Sequence, residues 1–251
     1  MAAGQVIYTL WLREMKWLIR AKSRLIASVV QPFLWLAIIG VGMSSTLTMP
    51  GNISYLQFMA PGIVGMTLLF SSTMTGVSVL WDKQFGFMKE ILVAPVSRTQ
   101  IMLGKALGGM TTSILQGLLL LLAAAAIGVR PPGVIELLQV LVFMFLISMS
   151  FVSIGLAIAS RMEDPVAFPI VMNFLIMPLF FLSGALYRVD MAPGWLSVLS
   201  HIDPLTYGVD GIRGAILGTS QFPMWLDFAV LGVFAAVMIL LGGYLFKKIK
   251  A

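Results

Sequence analysis

Five long intervals without Asp, Glu, Lys or Arg constrain what this chain can fold into. They cover residues 25–81, 106–129, 137–160, 165–187 and 228–246. A helix needs about 20 mostly apolar residues to cross the hydrocarbon core of a bilayer. Four intervals fit one such helix each, and the first is long enough for two, with a turn predicted at residues 49–52. The pattern therefore predicts six membrane spans.

Composition and patterning decide between the two kinds of structure that can cross a membrane. Only 10% of the chain is charged, whereas a soluble domain carries roughly 25%. Backbone amides must be hydrogen-bonded inside lipid, so spans are helices or a closed barrel, and the continuously apolar intervals exclude a barrel. We predict an all-α integral membrane protein, one domain over residues 1–251, with spans near 25–45, 59–81, 104–128, 137–160, 165–186 and 227–246.

The basic residues predict the orientation of these spans. With both termini on one side, 13 of the 16 Lys and Arg residues fall on that side, in residues 1–24, 82–105, 161–164 and the C-terminal tail. The cytoplasmic side of a membrane protein carries the excess of positive charge. We therefore expect cytoplasmic termini, and basic residues that meet anionic lipid headgroups rather than nucleic acid.

Residues 5–24 are predicted to form an amphipathic helix before the first span. Its apolar face has Ile7, Trp11, Met15 and Leu18, and its basic face has Arg13, Lys16 and Arg20. Such a helix lies in the plane of the membrane interface, with its tryptophans at headgroup depth. An ordinary charged leader is the alternative interpretation.

Several functions are disfavoured by what the predicted spans lack. A transporter driven by protons or sodium ions usually carries an ionisable residue in mid-membrane, and no span has one at its centre. The spans contain no catalytic dyad and no metal-ligand cluster, and the chain has no cysteine. His201 falls in the outer segment, where a lone histidine is more often a surface residue than a proton relay. Any energy for transport must therefore come from a partner.

The segment 82–97, between spans two and three, is the candidate contact for that partner. Phe87 and Ile91, with Met88 and Leu92, predict an apolar ridge on a short helix that Pro95 ends. An apolar ridge on a short cytoplasmic helix fits a groove on a soluble protein. It fits the membrane surface equally well, and spacing alone leaves the two open.

The outer segment 188–225 holds two apolar stretches that are too short to span the membrane. We expect residues 196–199 and 205–217 to form re-entrant or interfacial helices at the outer side. Asp210 and Arg213 are three residues apart and predict an exposed pair that stabilises a helix by ~0.3–0.5 kcal/mol. The segment is either an outer gate over an export pathway or an interfacial cap.

Two motifs resemble those of the permease subunits of ABC-2 type ATP-binding-cassette transporters. One is Glu90-Ile91-Leu92-Val93-Ala94-Pro95-Val96-Ser97-Arg98, which is similar to the family's coupling region after its second span. The other is similar to the signature after the fifth span, and comprises Leu182-Ser183-Gly184-Ala185-Leu186-Tyr187, Pro204-Leu205-Thr206-Tyr207 and Arg213. The six-span layout agrees over essentially the whole chain. The small size resembles bacterial drug and glycolipid exporters, such as daunorubicin-resistance and nodulation-factor export permeases.

The resemblance implies a partner that hydrolyses ATP. Family members dimerise, here as an expected homodimer, and bind two copies of a separate nucleotide-binding ATPase that holds ATP and Mg. This chain lacks the Gly-x-x-x-x-Gly-Lys-Ser/Thr loop, and we expect no cofactor in it. The expected coupling residues are Phe85, Phe87, Met88, Lys89, Glu90, Ile91, Leu92, Pro95 and Arg98. The expected outer-gate residues are Gly184, Pro204, Tyr207 and Arg213.

The resemblance also implies a pathway between two protomers, lined mainly by spans one, two and five. Span two has hydroxyl groups on one helical face, at Thr67, Ser71, Thr75 and Ser78, and span five has Asn173 near mid-membrane. Hydroxyl groups on one face also join packed helices, so lining and packing both stay open.

We therefore predict a membrane subunit of an ATP-driven exporter that moves an amphipathic drug-like or lipid-linked molecule out of the cytoplasm or inner leaflet. The subunit itself is predicted not to be an enzyme, and to lie in the plasma (inner) membrane of a prokaryote. A non-transporting membrane scaffold or immunity protein is the alternative. The docking ridge distinguishes the two, because a scaffold does not need one.

Overall fold

Helices make up most of the computed structural model, which describes residues 3–44, 46, 48–49, 53–93, 95–247 and 249. The helices are α1 (Ala3–Arg20), α2 (Lys22–Trp35), a π-helical segment (Leu36–Val41), α3 (Gly42–Ser44), α4 (Tyr55–Met74), α5 (Gly76–Gln84), α6 (Phe87–Val93), α7 (Arg98–Ala126), α8 (Val134–Ala159), α9 (Ala167–Leu182), a 3₁₀ turn (Val189–Met191), α10 (Gly194–Ile202), α11 (Pro204–Leu217) and α12 (Met224–Phe246). Strands β1 (Thr48–Met49) and β2 (Ile53–Ser54) pair antiparallel before α4. Residues 50–52 of the predicted turn lie outside the described residues.

The all-α membrane fold predicted from the uncharged intervals is confirmed. Among the described residues, five helices are long and apolar enough to cross a membrane: Leu25–Ser44, Tyr55–Gln84, Arg98–Ala126, Val134–Ala159 and Met224–Phe246. They correspond to predicted spans one, two, three, four and six. The first contains the π-helical segment, and the second combines α4 with α5.

The predicted fifth span at 165–186 is a shorter apolar helix. α9 has 16 residues, which is about 24 Å at 1.5 Å per residue. It ends at Leu182 because the chain turns at Gly184, whose φ of +66° is a left-handed conformation that favours glycine. A Cβ at this position would also approach Val189 Cγ2 to 2.6 Å.

The amino-terminal amphipathic helix is shorter than predicted and packs against protein. α1 ends at Arg20, and the next helix begins at Lys22, so the last predicted residues of the 5–24 helix belong to α2, which continues into the first span. α1 crosses α7 at Gly104 and Gly108, where an added Cβ would meet α1 atoms at 2.8 and 2.7 Å. The apolar face of α1 is therefore partly covered by span three.

Span two forms the centre of the molecule. Between α4 and α5 its hydrogen bonding tightens, because the N–H groups of Thr75 and Ser78 donate to carbonyl oxygens three residues earlier, while the Thr75 backbone stays helical. Glycines from the neighbouring spans allow a close approach at this level. A Cβ on Gly109 of α7 would lie 2.2 Å from Thr75 Oγ1, and one on Gly155 of α8 would lie 2.2 Å from the carbonyl oxygen of Thr73. Spans two, three and four are therefore in near-backbone contact at this level.

The outer segment contains two helices, α10 and α11, which cover the two predicted stretches at 196–199 and 205–217. α11 is buried over almost its whole length, between α4, α8 and α12. Gly208 and Gly211 face α8, and a Cβ on them would approach Ile147 Cδ1 to 2.7 Å and Phe143 Cε1 to 2.3 Å. α11 is thus inside the helix bundle rather than on its surface.

Candidate transport cavity and its surroundings

A cavity of about 910 Å³ lies between α1, α2, α4, α5, α7 and α9. All four hydroxyl residues of the predicted stripe on span two line it: Thr67, Ser71, Thr75 and Ser78. Phe85 and Phe87 of the segment 82–97 line it as well. The predicted pathway residues of span two therefore line the same cavity as two of the predicted coupling residues, Phe85 and Phe87.

The stripe hydroxyls also make local contacts within the protein. Thr67 Oγ1 and Thr75 Oγ1 donate hydrogen bonds to carbonyl oxygens one turn earlier, at 2.9 and 3.3 Å. Ser71 Oγ accepts a hydrogen bond from Ser113 Oγ of α7 at 3.0 Å. The same residues therefore line the cavity and form hydrogen bonds within the protein. A hydroxyl group on a helix face can bond to its own helix or to a neighbouring helix.

Asn173 lies outside this cavity. It is exposed on α9, one turn before Met177, which lines the cavity with Phe180 and Phe181. A role for Asn173 in a pathway therefore stays a prediction.

Sequence reasoning missed two glutamines and one threonine on the cavity wall. Gln31 comes from α2, and Thr112 and Gln116 come from α7. The available signal was an amide one helical turn after a hydroxyl, at positions 112 and 116 of an otherwise mostly apolar interval. Gln116 is 6% exposed, and its Oε1 has no hydrogen-bond partner among the described residues.

A cluster of four charged side chains lies at the end of the cavity nearest α1. The Asp82 carboxylate accepts hydrogen bonds from Arg13 at 2.7 and 2.8 Å, and its Oδ2 lies 2.6 Å from Lys105 Nζ. Lys105 also lies 3.7 Å from Glu14 Oε1 and donates to Ser78 Oγ at 3.1 Å. The cluster ties α1, α5 and α7 together. Lys105 was counted among the basic residues on the cytoplasmic side that are expected to meet lipid headgroups, but it is 0% exposed within α7.

The segment 82–97 turns at Gly86, whose φ is +80°, and forms α6. The predicted ridge is wrong in part, because Met88 is buried in the core and Ile91 packs partly against it. Phe87 of the predicted ridge is exposed, at 52%, and so is Phe85 just before α6, at 68%. α6 directs positions 88 and 91 inward together because they are three residues apart on one helical face.

The remaining predicted coupling residues lie on the surface or at the helix ends. Lys89 and Glu90 are exposed on α6, and Pro95 is exposed after the helix ends at Val93. Arg98 begins α7, and its guanidinium donates to the carbonyl oxygen of Lys247. Leu92 lies in α6, and its side chain is outside the described part of the structure.

Arg213 is the centre of a buried group at the other end of the molecule. Its guanidinium lies 4.0 Å from the centroid of the Phe58 ring and donates to the carbonyl oxygen of Gly184 at 2.9 Å. Asp210 Oδ1 is 3.8 Å from Arg213 Nη1. The prediction of an exposed pair is wrong, since Arg213 is only 7% exposed and Asp210 is buried as well. The reason is that α11 lies inside the bundle.

The other outer-signature residues lie close by. Pro204 begins α11 after Asp203, whose side chain caps the helix by accepting from the backbone N–H of Leu205 at 2.9 Å. Burial raises the pKa of Asp203 to about 7. Tyr207 donates its hydroxyl to the carbonyl oxygen of His201 at 2.9 Å. The signature residues therefore fix how α10, α11 and the turn after α9 meet.

Comparisons with known proteins agree with this architecture. Residues 5–217 match the model of the family described as ABC-2 type transporter. The chain is 29% identical to transport permease ycf38 of Cyanophora paradoxa over 92% of this chain and 83% of the relative. It is 27% identical to inner membrane transport permease YadH of Escherichia coli K12, covering 93% of this chain and 91% of the relative.

A third relative also matches nearly the whole chain. Nodulation protein J of Rhizobium meliloti is 24% identical over 95% of this chain and 91% of the relative. The family match extends from α1 to the end of α11 and so includes the cavity, the charge cluster and the Arg213 group. The chain is a multi-pass membrane protein and a transport permease subunit, and it belongs to the ABC-2 type transporter family.

Proposed function

We propose that this permease is the membrane subunit of an ATP-driven exporter that moves an amphipathic molecule outward from the cytoplasm or the inner leaflet. One observation carries the proposal: Phe85 and Phe87 of the segment 82–97 line the same cavity as the hydroxyl stripe of span two. A protein that contacts this segment from the cytoplasm can therefore act on the wall of the cavity directly.

The path from the partner to the cavity runs through α6 and α5. The family implies an ATP-binding-cassette ATPase as the partner. Exposed Phe87, Lys89, Glu90 and Val93 supply a mixed apolar and charged surface for it on α6. Movement of α6 passes to α5, which ends at Gln84, and the charge cluster at Asp82 links that movement to α1 and α7.

The local 3₁₀ hydrogen bonding of span two at Thr75 gives this movement a place to act. α5 lies on the α6 side of Thr75, and α4 lies on the far side with the buried Arg213 group at its other end. A stretch of 3₁₀ hydrogen bonding inside a helix often marks a hinge. A shift of α5 against α4 would change the shape of the cavity wall between Ser71 and Ser78.

The active assembly is proposed to be a permease homodimer with two ATPase copies. Exposed apolar side chains cover the outward faces of the first span and α9, with Ile38 and Phe174 among the most exposed. These faces flank the cavity, so a second copy that covers them would enclose a pathway. The Arg213 group is proposed to close the outer end of that pathway, and the termini are proposed to be cytoplasmic.

The proposal is tested by placing a negative charge on α6. Val93→Glu and Phe87→Glu are expected to reduce ATP hydrolysis by the co-purified complex, because a charge would have to be buried against the ATPase. Val134→Glu is the matched control: Val134 begins α8 at the opposite end and is 81% exposed, close to the 86% of Val93.

Each outcome has a distinct meaning. Loss of hydrolysis in the α6 variants, with normal hydrolysis in Val134→Glu, supports the coupling role. Normal hydrolysis and normal export in both α6 variants would contradict the proposed coupling role of α6. A permease that carries no ATPase at all would favour the non-transporting scaffold.

A further inference from the structure

Gln116 lines the cavity and carries a buried hydrogen-bond acceptor that is unused. Its side chain lines the cavity from the middle of α7, it is 94% buried, and Oε1 has no partner within the described part of the chain. A buried acceptor without a donor is destabilising, because it has lost its hydrogen bonds to water. Such a group in a cavity wall indicates a ligand that supplies an O–H or N–H donor.

The charges around the cavity leave little for a charged ligand to bind. The four charged residues at its end are two cations, Arg13 and Lys105, and two anions, Glu14 and Asp82. They lie within 2.6–3.8 Å of one another, so their charges cancel locally. A charged headgroup would have to displace one of these contacts, which a neutral polar group need not do.

The rest of the wall is suited to an apolar chain. Aromatic side chains from three helices line it: Trp35 from α2, Phe70 from α4, and Phe180 and Phe181 from α9. The volume of about 910 Å³ is in the range of sites that hold drug-sized or larger ligands. Ser71 and Thr75, which carry neutral hydroxyl groups, line the same cavity.

We propose that the cavity binds an electroneutral amphiphile whose hydroxyl or amide N–H donates a hydrogen bond to Gln116 Oε1, and whose apolar part lies against the aromatic wall. This inference rests on the proposed function, since it names the class of molecule that the exporter carries. Gln116 is a specificity-determining residue in this scheme, because it accepts from donor groups and offers nothing to a purely apolar chain.

The test is photolabelling of the full chain in phosphatidylcholine nanodiscs without nucleotide. The probe is 1-O-hexadecylglycerol with a diazirine in its alkyl chain, and mass spectrometry identifies the labelled peptides. Two analogues share the alkyl chain: one has both hydroxyls methylated, and one has a sulfate in place of the glycerol. The protein variants are Gln116→Leu and, as the matched control, Gln139→Leu in α8, which does not line the cavity.

We expect the glycerol probe to label the cavity peptide of α9 about fivefold more than the methylated analogue, as one neutral hydrogen bond contributes about 1 kcal/mol. Gln116→Leu should reduce labelling to the level of the methylated analogue, and Gln139→Leu should leave it unchanged. Equal labelling by the glycerol and methylated probes would overturn the proposal without relying on the folding of any variant. Equal or stronger labelling by the sulfate would refute the preference for neutral ligands.

The result is separable from that of the α6 experiment, because labelling requires neither the ATPase nor ATP. Specific labelling by a permease that carries no ATPase would reject the exporter while keeping the binding site. A coupled ATPase with no preference among the three probes would keep the exporter and reject the inferred class of substrate.

Discussion

Replacing Asp82 by asparagine tests whether the charge cluster holds α1, α5 and α7 together. Asparagine keeps the size of the side chain but removes the charge that Arg13 contacts at 2.7 and 2.8 Å and Lys105 at 2.6 Å. The Lys105 ammonium, which is completely buried, would then keep only Ser78 at 3.1 Å and Glu14 at 3.7 Å.

The expected loss follows from the burial of each partner. Removing one member of a buried ion pair costs about 3–5 kcal/mol. The Arg13 side chain is 42% exposed and can turn to water, and Glu14 retains some compensation for Lys105, so we expect about 2–4 kcal/mol. At about 2–4 °C per kcal/mol, the midpoint of thermal unfolding should fall by on the order of 5–15 °C.

A second substitution distinguishes loss of the ion pair from general damage. Lys105→Met alone leaves Asp82 with both Arg13 contacts and is expected to cost about 1–2 kcal/mol. Combined with Asp82→Asn, it removes the stranded charge, so the double variant should be more stable than the sum of the two single losses predicts. Asp190→Asn is the control, because Asp190 pairs with Arg188 on the surface and its loss is expected to cost about 1 kcal/mol or less.

The assay is heating of the tagged chain in mild detergent, followed by size-exclusion chromatography to measure the folded fraction. Equal shifts for Asp82→Asn and Asp190→Asn would refute the argument from burial. Strict additivity of the Asp82 and Lys105 substitutions would show that the two groups are not energetically coupled.

Gly155→Ala should lower the unfolding temperature, because its Cβ would lie 2.2 Å from the Thr73 carbonyl oxygen. Gly232→Ala is the control, since its Cβ would meet no described heavy atom within 4 Å. Equal effects of the two substitutions on the unfolding temperature would contradict the close contact at Gly155. Arg213→Gln should alter export while the ATPase still co-purifies, and loss of assembly would make Arg213 structural. The chain has no cysteine, so single introduced cysteines report the orientation of the spans. Ser97→Cys should react with an impermeant maleimide only in inverted vesicles, and Pro131→Cys only in right-side-out vesicles. The reverse pattern would contradict the predicted orientation.

The spans could be predicted from the sequence because exclusion of charge from lipid acts on every residue of an interval. The burial of α11 could not be predicted from the sequence. Asp210 and Arg213 look like exposed residues in sequence, and their partners Gly184, Phe58, Gln221 and Phe222 come from other parts of the chain. Exposed and buried ion pairs have the same local spacing, so only the tertiary structure distinguishes them.

Part of the candidate site could also be predicted from the sequence, and part could not. The hydroxyl stripe of span two was visible as a helical periodicity, and all of its members line the cavity. The side of α6 that is buried was not predictable, because it depends on the turn at Gly86 and on the core that receives Met88. The charge cluster was equally hidden, since Arg13 and Asp82 are 69 residues apart in the chain.

The proposed function depends most on a partner ATPase that contacts α6. The direct measurement is to purify the tagged chain from its native membrane in mild detergent and to quantify any co-purifying ATPase. We predict one co-purifying ATPase copy per permease chain, active in ATP hydrolysis, with that hydrolysis reduced in Val93→Glu. A chain that purifies alone, in a detergent shown to preserve other complexes of this kind, would contradict it.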